Sequence, residues 1–156
     1  MDEHALRSVI DSVVRELSAC NITLEQARTL SEQIRIKAAE MGVNAVVAIA
    51  NSAGHPILVE SMDDAYIASY DVALQKSFTV VSLKMSTATL KPLAQPGGSL
   101  YGIQFTNNGK IVIFGGGEPL CNASGKIIGG LGVSGGSEEQ DTALAAYGKQ
   151  IFEKGR

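Results

Sequence analysis

Cysteine and histidine are scarce in this sequence, and long apolar runs, basic blocks and a leader-like start are missing altogether. Two cysteines, Cys20 and Cys121, are too few for a disulfide scaffold or a cysteine-built zinc site. Two histidines, His4 and His55, lie far apart in the chain, which argues against a zinc triad. Lys and Arg number 13 against 16 Asp and Glu, a net charge of −3. With no basic cluster, a nucleic-acid partner held by phosphate neutralisation is not expected. No stretch reaches the length of a membrane span, so no membrane partner is expected either. The opening "MDEHALRSVI" is acidic and has no continuous apolar stretch, which does not fit a secretory signal. The expected location is therefore cytoplasmic and reducing, where the sequon Asn122-Ala123-Ser124 carries no message.

What is present is a chain of 156 residues, 45% hydrophobic. That suits one domain, and a chain of this length buries roughly 70% of the surface its unfolded form exposes. Leu6, Val9, Ile10, Val13, Val14 and Leu17 recur at helical spacing, with Arg7, Asp11, Arg15 and Glu16 on the opposite face. Residues 1–18 are expected to form a separate amphipathic helix. A helix of this size is weakly stable alone, so the stripe needs something to dock on. "SACNI" breaks it. Thr23 with Gln26 then predicts a capping box for a second helix ending at Gly42.

Two strand-like runs follow, Ala45 to Ala50 and Pro56 to Glu60, joined by the turn "NSAGH". From Ala65 the period returns to three and four: Ile67, Tyr70, Leu74, Phe78, Val81 and Met85 predict a long helix. Pro92 and Pro96 predict a loop. Asn108-Gly109 between Tyr101–Thr106 and Lys110–Phe114 predicts a hairpin. Strand Ile127–Val133 and a helix capped by Ser137 and Gln140 close the chain. Short turns require antiparallel pairing. The expected class is α+β, an antiparallel sheet of about five strands with helices packed on it.

Gly130-Leu131-Gly132-Val133-Ser134-Gly135 matches G-x-G-x-x-G. A dinucleotide site also needs a second strand and an acid about 20 residues on, and the sequence has no place for them. Glu138, Glu139 and Asp141 in the next helical turn would repel phosphate. Close backbone packing is the expected role of these glycines. Ser134 also sits in a G-x-S-x-G pattern, but no histidine follows it.

Among chemically capable residues, His55 at a hairpin tip is the candidate metal ligand, since one imidazole suffices for a haem or corrinoid metal. An exposed turn histidine is the plainer alternative. Cys121 is a candidate soft ligand or redox thiol, or a half-buried structural cysteine. Tyr70, Met85 and Tyr101 are candidate walls of an apolar pocket, whereas Phe78 is expected in the core. Asp63, Asp64, Asp71 and Lys76 read as cleft-lining or as paired surface charges.

Three segments together, "AIANSAGHPILVESMDDAYIASYDVALQKSFTVVSLKMST", "QPGGSLYGIQFTNNGKIVIFGGGEPL" and "GKIIGGLGVSGGSEEQD", resemble the GlcG/HbpS-like haem-binding family. They also resemble the C-terminal part of PduO-type proteins. The resemblance covers about residues 22 to 153. It implies a profilin-like fold and a homo-oligomer that binds haem, or less typically a corrinoid; the residues expected to serve the ligand remain those read from the sequence, His55, Tyr70, Met85, Tyr101 and Cys121. The family typically carries an arginine where this sequence has Ser61. Residues 1–18 resemble encapsulation peptides of bacterial microcompartment cargo, which implies shell or core proteins as partners and the compartment lumen as the location. Two alternatives stand beside this expectation. One is an enzyme that processes cobalamin or degrades haem, using Asp71, Lys76, Tyr101 and Cys121. The other is a ligand-free assembly subunit.

Overall fold

The computed structural model describes residues 2–155. Five helices and four strands alternate in the order α1 (Glu3–Ser18), α2 (Leu24–Glu40), β1 (Val46–Asn51), β2 (Pro56–Ser61), α3 (Ile67–Leu83), α4 (Thr87–Leu93), β3 (Gly117–Cys121), β4 (Ile127–Ser134) and α5 (Glu138–Lys154). The sheet runs β2-β1-β4-β3, antiparallel throughout. This is the α+β, helix-flanked antiparallel architecture that the turn lengths require.

Strand alternation divides the core in two. Val47, Ile49, Leu131 and Val133 join Leu30 and Ile34 of α2 and Leu144 and Phe152 of α5 in the main cluster. On the other face, Val46 and Ala48 meet Ala73 of α3. The capping boxes of α2 (Thr23 with Gln26) and α5 (Ser137 with Gln140) are both formed, because each side-chain oxygen satisfies an amide that the helix leaves orphaned.

α3 is inverted relative to an ordinary surface helix. Its buried residues are Ser69, Ala73, Lys76, Ser77, Thr79 and Val80. The large apolar stripe of Ile67, Tyr70, Leu74 and Phe78 is exposed or half-buried instead. β4 explains the inversion. Its residues facing α3 are Gly130, Gly132 and Ser134, so nothing projects from the strand and the helix backbone comes down onto it. A Cβ on Gly132 would lie 2.0 Å from the Ala73 carbonyl oxygen, and one on Gly130 2.3 Å from that of Ser77. Only small residues on the helix can face such an approach; Ser134 Oγ and Ser69 Oγ are 3.2 Å apart. The G-x-G-x-x-G match is therefore a packing device, as its setting suggested.

One expected element is absent. Tyr101–Phe114 is not a hairpin; its two expected strands are replaced by one, β3 at Gly117–Cys121, so the described sheet has four strands, close to the expected five. Ile103–Phe105 and Asn107–Gly109 form 3₁₀ turns instead. The turn chemistry of Asn108-Gly109 is real: Asn107, Asn108 and Gly109 have φ of +51°, +55° and +74°. No strands flank it, because Gly102 at φ +92° bends the first segment away. Thr79 of α3 meets the backbone of the second: its Oγ1 donates to Gln75 O at 2.7 Å within α3 and accepts from Val112 N at 3.0 Å. Pro92, expected in a loop, lies inside α4.

α1 stands off the domain. Leu6, Val9, Ile10, Val13, Val14 and Leu17 are each 45–55% exposed. The Asn122 amide tethers the helix end by donating to Leu17 O at 3.2 Å and Ala19 O at 3.0 Å.

Replacing Gly132 by Ala is expected to cost at least about 3 kcal/mol, because neither backbone can yield. Gly109→Ala has open space around its Cβ and should lose only about 1–2 kcal/mol for the left-handed conformation. Urea denaturation of both variants checks the contrast; equal losses would contradict the close helix–strand contact.

Candidate functional site

Lys76 is the most deeply committed polar residue on α3. Its side chain is fully buried, which corrects the expectation of a surface or cleft lysine beside Asp71. Nζ donates to Val133 O at 2.8 Å and to Asp141 Oδ2 at 3.2 Å, and lies 5.0 Å from the Phe114 ring centroid. A carbonyl, a carboxylate and a ring face thus surround the ammonium. Gly116 makes room for it, since a Cβ there would sit 2.5 Å from Nζ. Burial pushes the Lys76 ammonium below its usual range, while Asp141 and then Glu138 push it back up. Burial likewise pushes Asp141 up, against Lys76 and the Gly136 amide. We take the pair as ionised, because each partner supplies the hydrogen bond the other needs.

Around the pair, Glu138 accepts from Lys91 Nζ at 2.6 Å and from the Gly115 amide at 3.0 Å. These donors hold its carboxyl below the usual range. Thr87 Oγ1 accepts from the Gly117 amide. The region ties α3, α4, the Gly115–Gly117 segment and α5 together, and every charge in it has a partner. It acts as a clasp between these segments, with the Lys76 side chain wholly enclosed. Among the described residues no group of three His, Cys, Asp or Glu is placed to hold a metal.

The candidate ligand residues are distributed differently. His55 is exposed at the tip of the β1–β2 hairpin, where its backbone amide donates to Asn51 Oδ1 at 3.0 Å. Next to it Gly54 lies under Phe78; a Cβ on Gly54 would be 3.0 Å from Phe78 Cδ2. Phe78 is half-buried, so it is not plain core but part of the outward stripe of α3. The hairpin tip and the second half of α3 therefore meet, and His55 stands at the edge of an apolar face. Lys110 Nζ covers the same ring at 5.4 Å from its centroid.

Met85 is half-buried just past the end of α3, roughly 10 Å beyond Phe78 by helical rise. Tyr70 is 51% exposed near the start of α3, roughly 20 Å from Met85 on the same scale. Tyr101, 65% exposed, lies in the loop after α4. Cys121 ends β3 at the same end of the sheet as His55, two to three strand spacings away or about 10–14 Å. No disulfide joins it to Cys20. Thus His55 lies next to Phe78 on the outward face of α3 and Tyr70 lies on an earlier turn of the same stripe, whereas Cys121 is two to three strand spacings from His55.

Four surface depressions, the clearest a groove between α2 and α5 lined by Leu30, Ile151 and Phe152, include none of His55, Tyr70, Met85, Tyr101 or Cys121. His55 is exposed and Phe78 half-buried on this face. The sequence places Phe78 in the core and does not single out Lys110. A stripe at helical spacing looks inward-facing by default, and Lys110 fell in an expected strand. The run Asn107-Asn108-Gly109 was the signal that the segment is a displayed turn.

Comparison with known proteins bears on this arrangement. The family model described as "Haem degrading protein HbpS-like" matches residues 22–150. A Citrobacter freundii relative, described as an uncharacterized 15.0 kDa protein in the dhaT-dhaS intergenic region, is 42% identical over 84% of this chain and 92% of its own. The corrinoid adenosyltransferase PduO of the same organism is 36% identical over 92% of this chain but only 42% of its own length. A solved structure described as a PduOC:Heme complex superposes with a TM-score of 0.79 at 35% identity, covering 83% of this chain and 94% of that one.

Lys76→Met should lose about 3–5 kcal/mol by leaving the Asp141 carboxylate buried without its partner. The double variant Lys76→Met/Asp141→Leu should recover more than half of that in urea denaturation. Additive losses would show that the two side chains do not act as a pair.

Proposed function

The chain belongs to the HbpS-like family, and from that membership we propose that it is a tetrapyrrole-binding accessory protein whose ligand is haem. The observation that carries the proposal is the inverted α3. A helix that turns its small side chains to the sheet leaves Ile67, Tyr70, Leu74 and Phe78 on the outside. That apolar face is larger than the domain's own packing uses. The haem complex of the PduOC relative, at 35% identity, supports the same ligand here.

The residues present suit the group. His55 offers an imidazole at the edge of the face, Met85 a thioether just past the end of α3, and Phe78 a flat apolar contact. Bound haem would supply an iron with open axial positions. His55 would ligate it, while Phe78 and Leu74 would exclude water from the ring. The face is exposed or half-buried, so a second copy of the chain is the natural cover, and homo-oligomerisation is part of the proposal. The role proposed is binding rather than turnover.

A corrinoid is the second reading, favoured by the likeness to PduO. The transferase activity in that protein's name is not carried over, since this chain spans less than half of its length.

For α1 we propose a recruiting role, with shell or core proteins of a microcompartment as partners. The family match begins only after it, at residue 22, and its apolar stripe is exposed. No helix among the described residues is long and apolar enough to cross a membrane.

Titration of the purified protein with haemin should give a sharpened, shifted Soret band. His55→Ala should move or weaken that band and His4→Ala should not; an unchanged His55→Ala spectrum removes His55 as the ligand. Deleting residues 1–18 should leave the thermal midpoint and the haem spectrum as they are, and abolish co-purification with co-expressed shell proteins. Retained co-purification would assign recruitment to another surface.

A further inference from the structure

The segment Asn107-Asn108-Gly109 is held in three successive left-handed conformations, at φ +51°, +55° and +74°. Two of these residues are asparagines, which after glycine accept this conformation most readily, so the turn is set by its own residues. The chain just after it is anchored on α3: Val112 N donates to Thr79 Oγ1 at 3.0 Å, and Ile111 is buried. Lys110, exposed, thus leaves the turn from an anchored backbone. Lys110 Nζ lies 5.4 Å from the Phe78 ring centroid and enters no ion pair among the described residues.

We infer that Lys110 is a specificity residue that selects a tetrapyrrole bearing ionised carboxylates over one whose side chains are neutral amides or esters. The inference rests on the tetrapyrrole reading above and deepens it. Phe78 lies against Gly54, the neighbour of His55, so a flat ligand ligated by His55 and resting on Phe78 has its rim at Lys110. A macrocycle with propionate-like arms would exchange the ring-face contact of the ammonium for a charge-assisted hydrogen bond, which is the stronger interaction. A ligand with amide arms would leave the ammonium without a charge partner and gain nothing from it. The turn thus makes a charge filter at the rim of an otherwise unselective apolar face.

The test compares haemin with haemin dimethyl ester, in the same dilute detergent, by Soret titration of the wild type, Lys110→Gln, Lys110→Arg and the distant control Lys154→Gln. Wild type, Lys110→Arg and Lys154→Gln should bind haemin about tenfold more tightly than the diester, the scale of one half-exposed charge-assisted contact. In Lys110→Gln the ratio should fall to about one, with the Soret position unchanged because the axial ligand is untouched. A ratio in Lys110→Gln equal to that of the wild type, or no preference in the wild type, overturns the charge filter and leaves haem binding standing. A wild type that binds neither compound overturns the tetrapyrrole reading and this inference with it. Far-ultraviolet circular dichroism matching the wild type qualifies each variant as folded.

Discussion

The contact between α3 and β4 governs this molecule. Two glycines facing the helix let its backbone come down onto the strand, and the residues at the points of contact are the small Ala73 and Ser77. Helix amphipathicity is normally resolved by turning the large apolar residues inward. Here that solution is sterically closed, because any Cβ on Gly130 or Gly132 would overlap the helix backbone. The large residues face outward as a consequence of packing. Lys76 is drawn inward by the same constraint, since it lies on the small-residue side of α3, and the clasp with Asp141 follows from its position.

Much of the fold was legible. The stripe of the first helix, both capping boxes and the β1–β2 hairpin lie where periodicity and turn chemistry set them. These features are local, decided by residues three or four apart. The inversion of α3 is not local. Ile67, Tyr70, Leu74 and Phe78 have the spacing of any buried stripe, and only the glycines of a strand some 50 residues later turn them outward. The hairpin expected at Asn108-Gly109 failed for a related reason. Its turn residues behave as their chemistry demands, but the flanking backbone finds a hydrogen bond on Thr79 rather than on a neighbouring strand.

The candidate site divides along the same line. His55 was identifiable because it is one of two histidines and sits between turn residues. Phe78 beside it, and Lys110 above that ring, are brought in by segments distant in sequence. Lys76 was visible as a charge but not as a buried one, because nothing within a helical turn of it announces Asp141. Cys121 stands at the end of β3, a position that its sequence neighbours do not reveal.

The strand order β2-β1-β4-β3 leaves β2 and β3 on the outside, and each carries a proline, Pro56 and Pro119. A proline withholds an amide from any strand that might add alongside. Each margin of the sheet therefore offers an added strand one hydrogen-bond donor fewer, which works against an amyloid-like merger of edges.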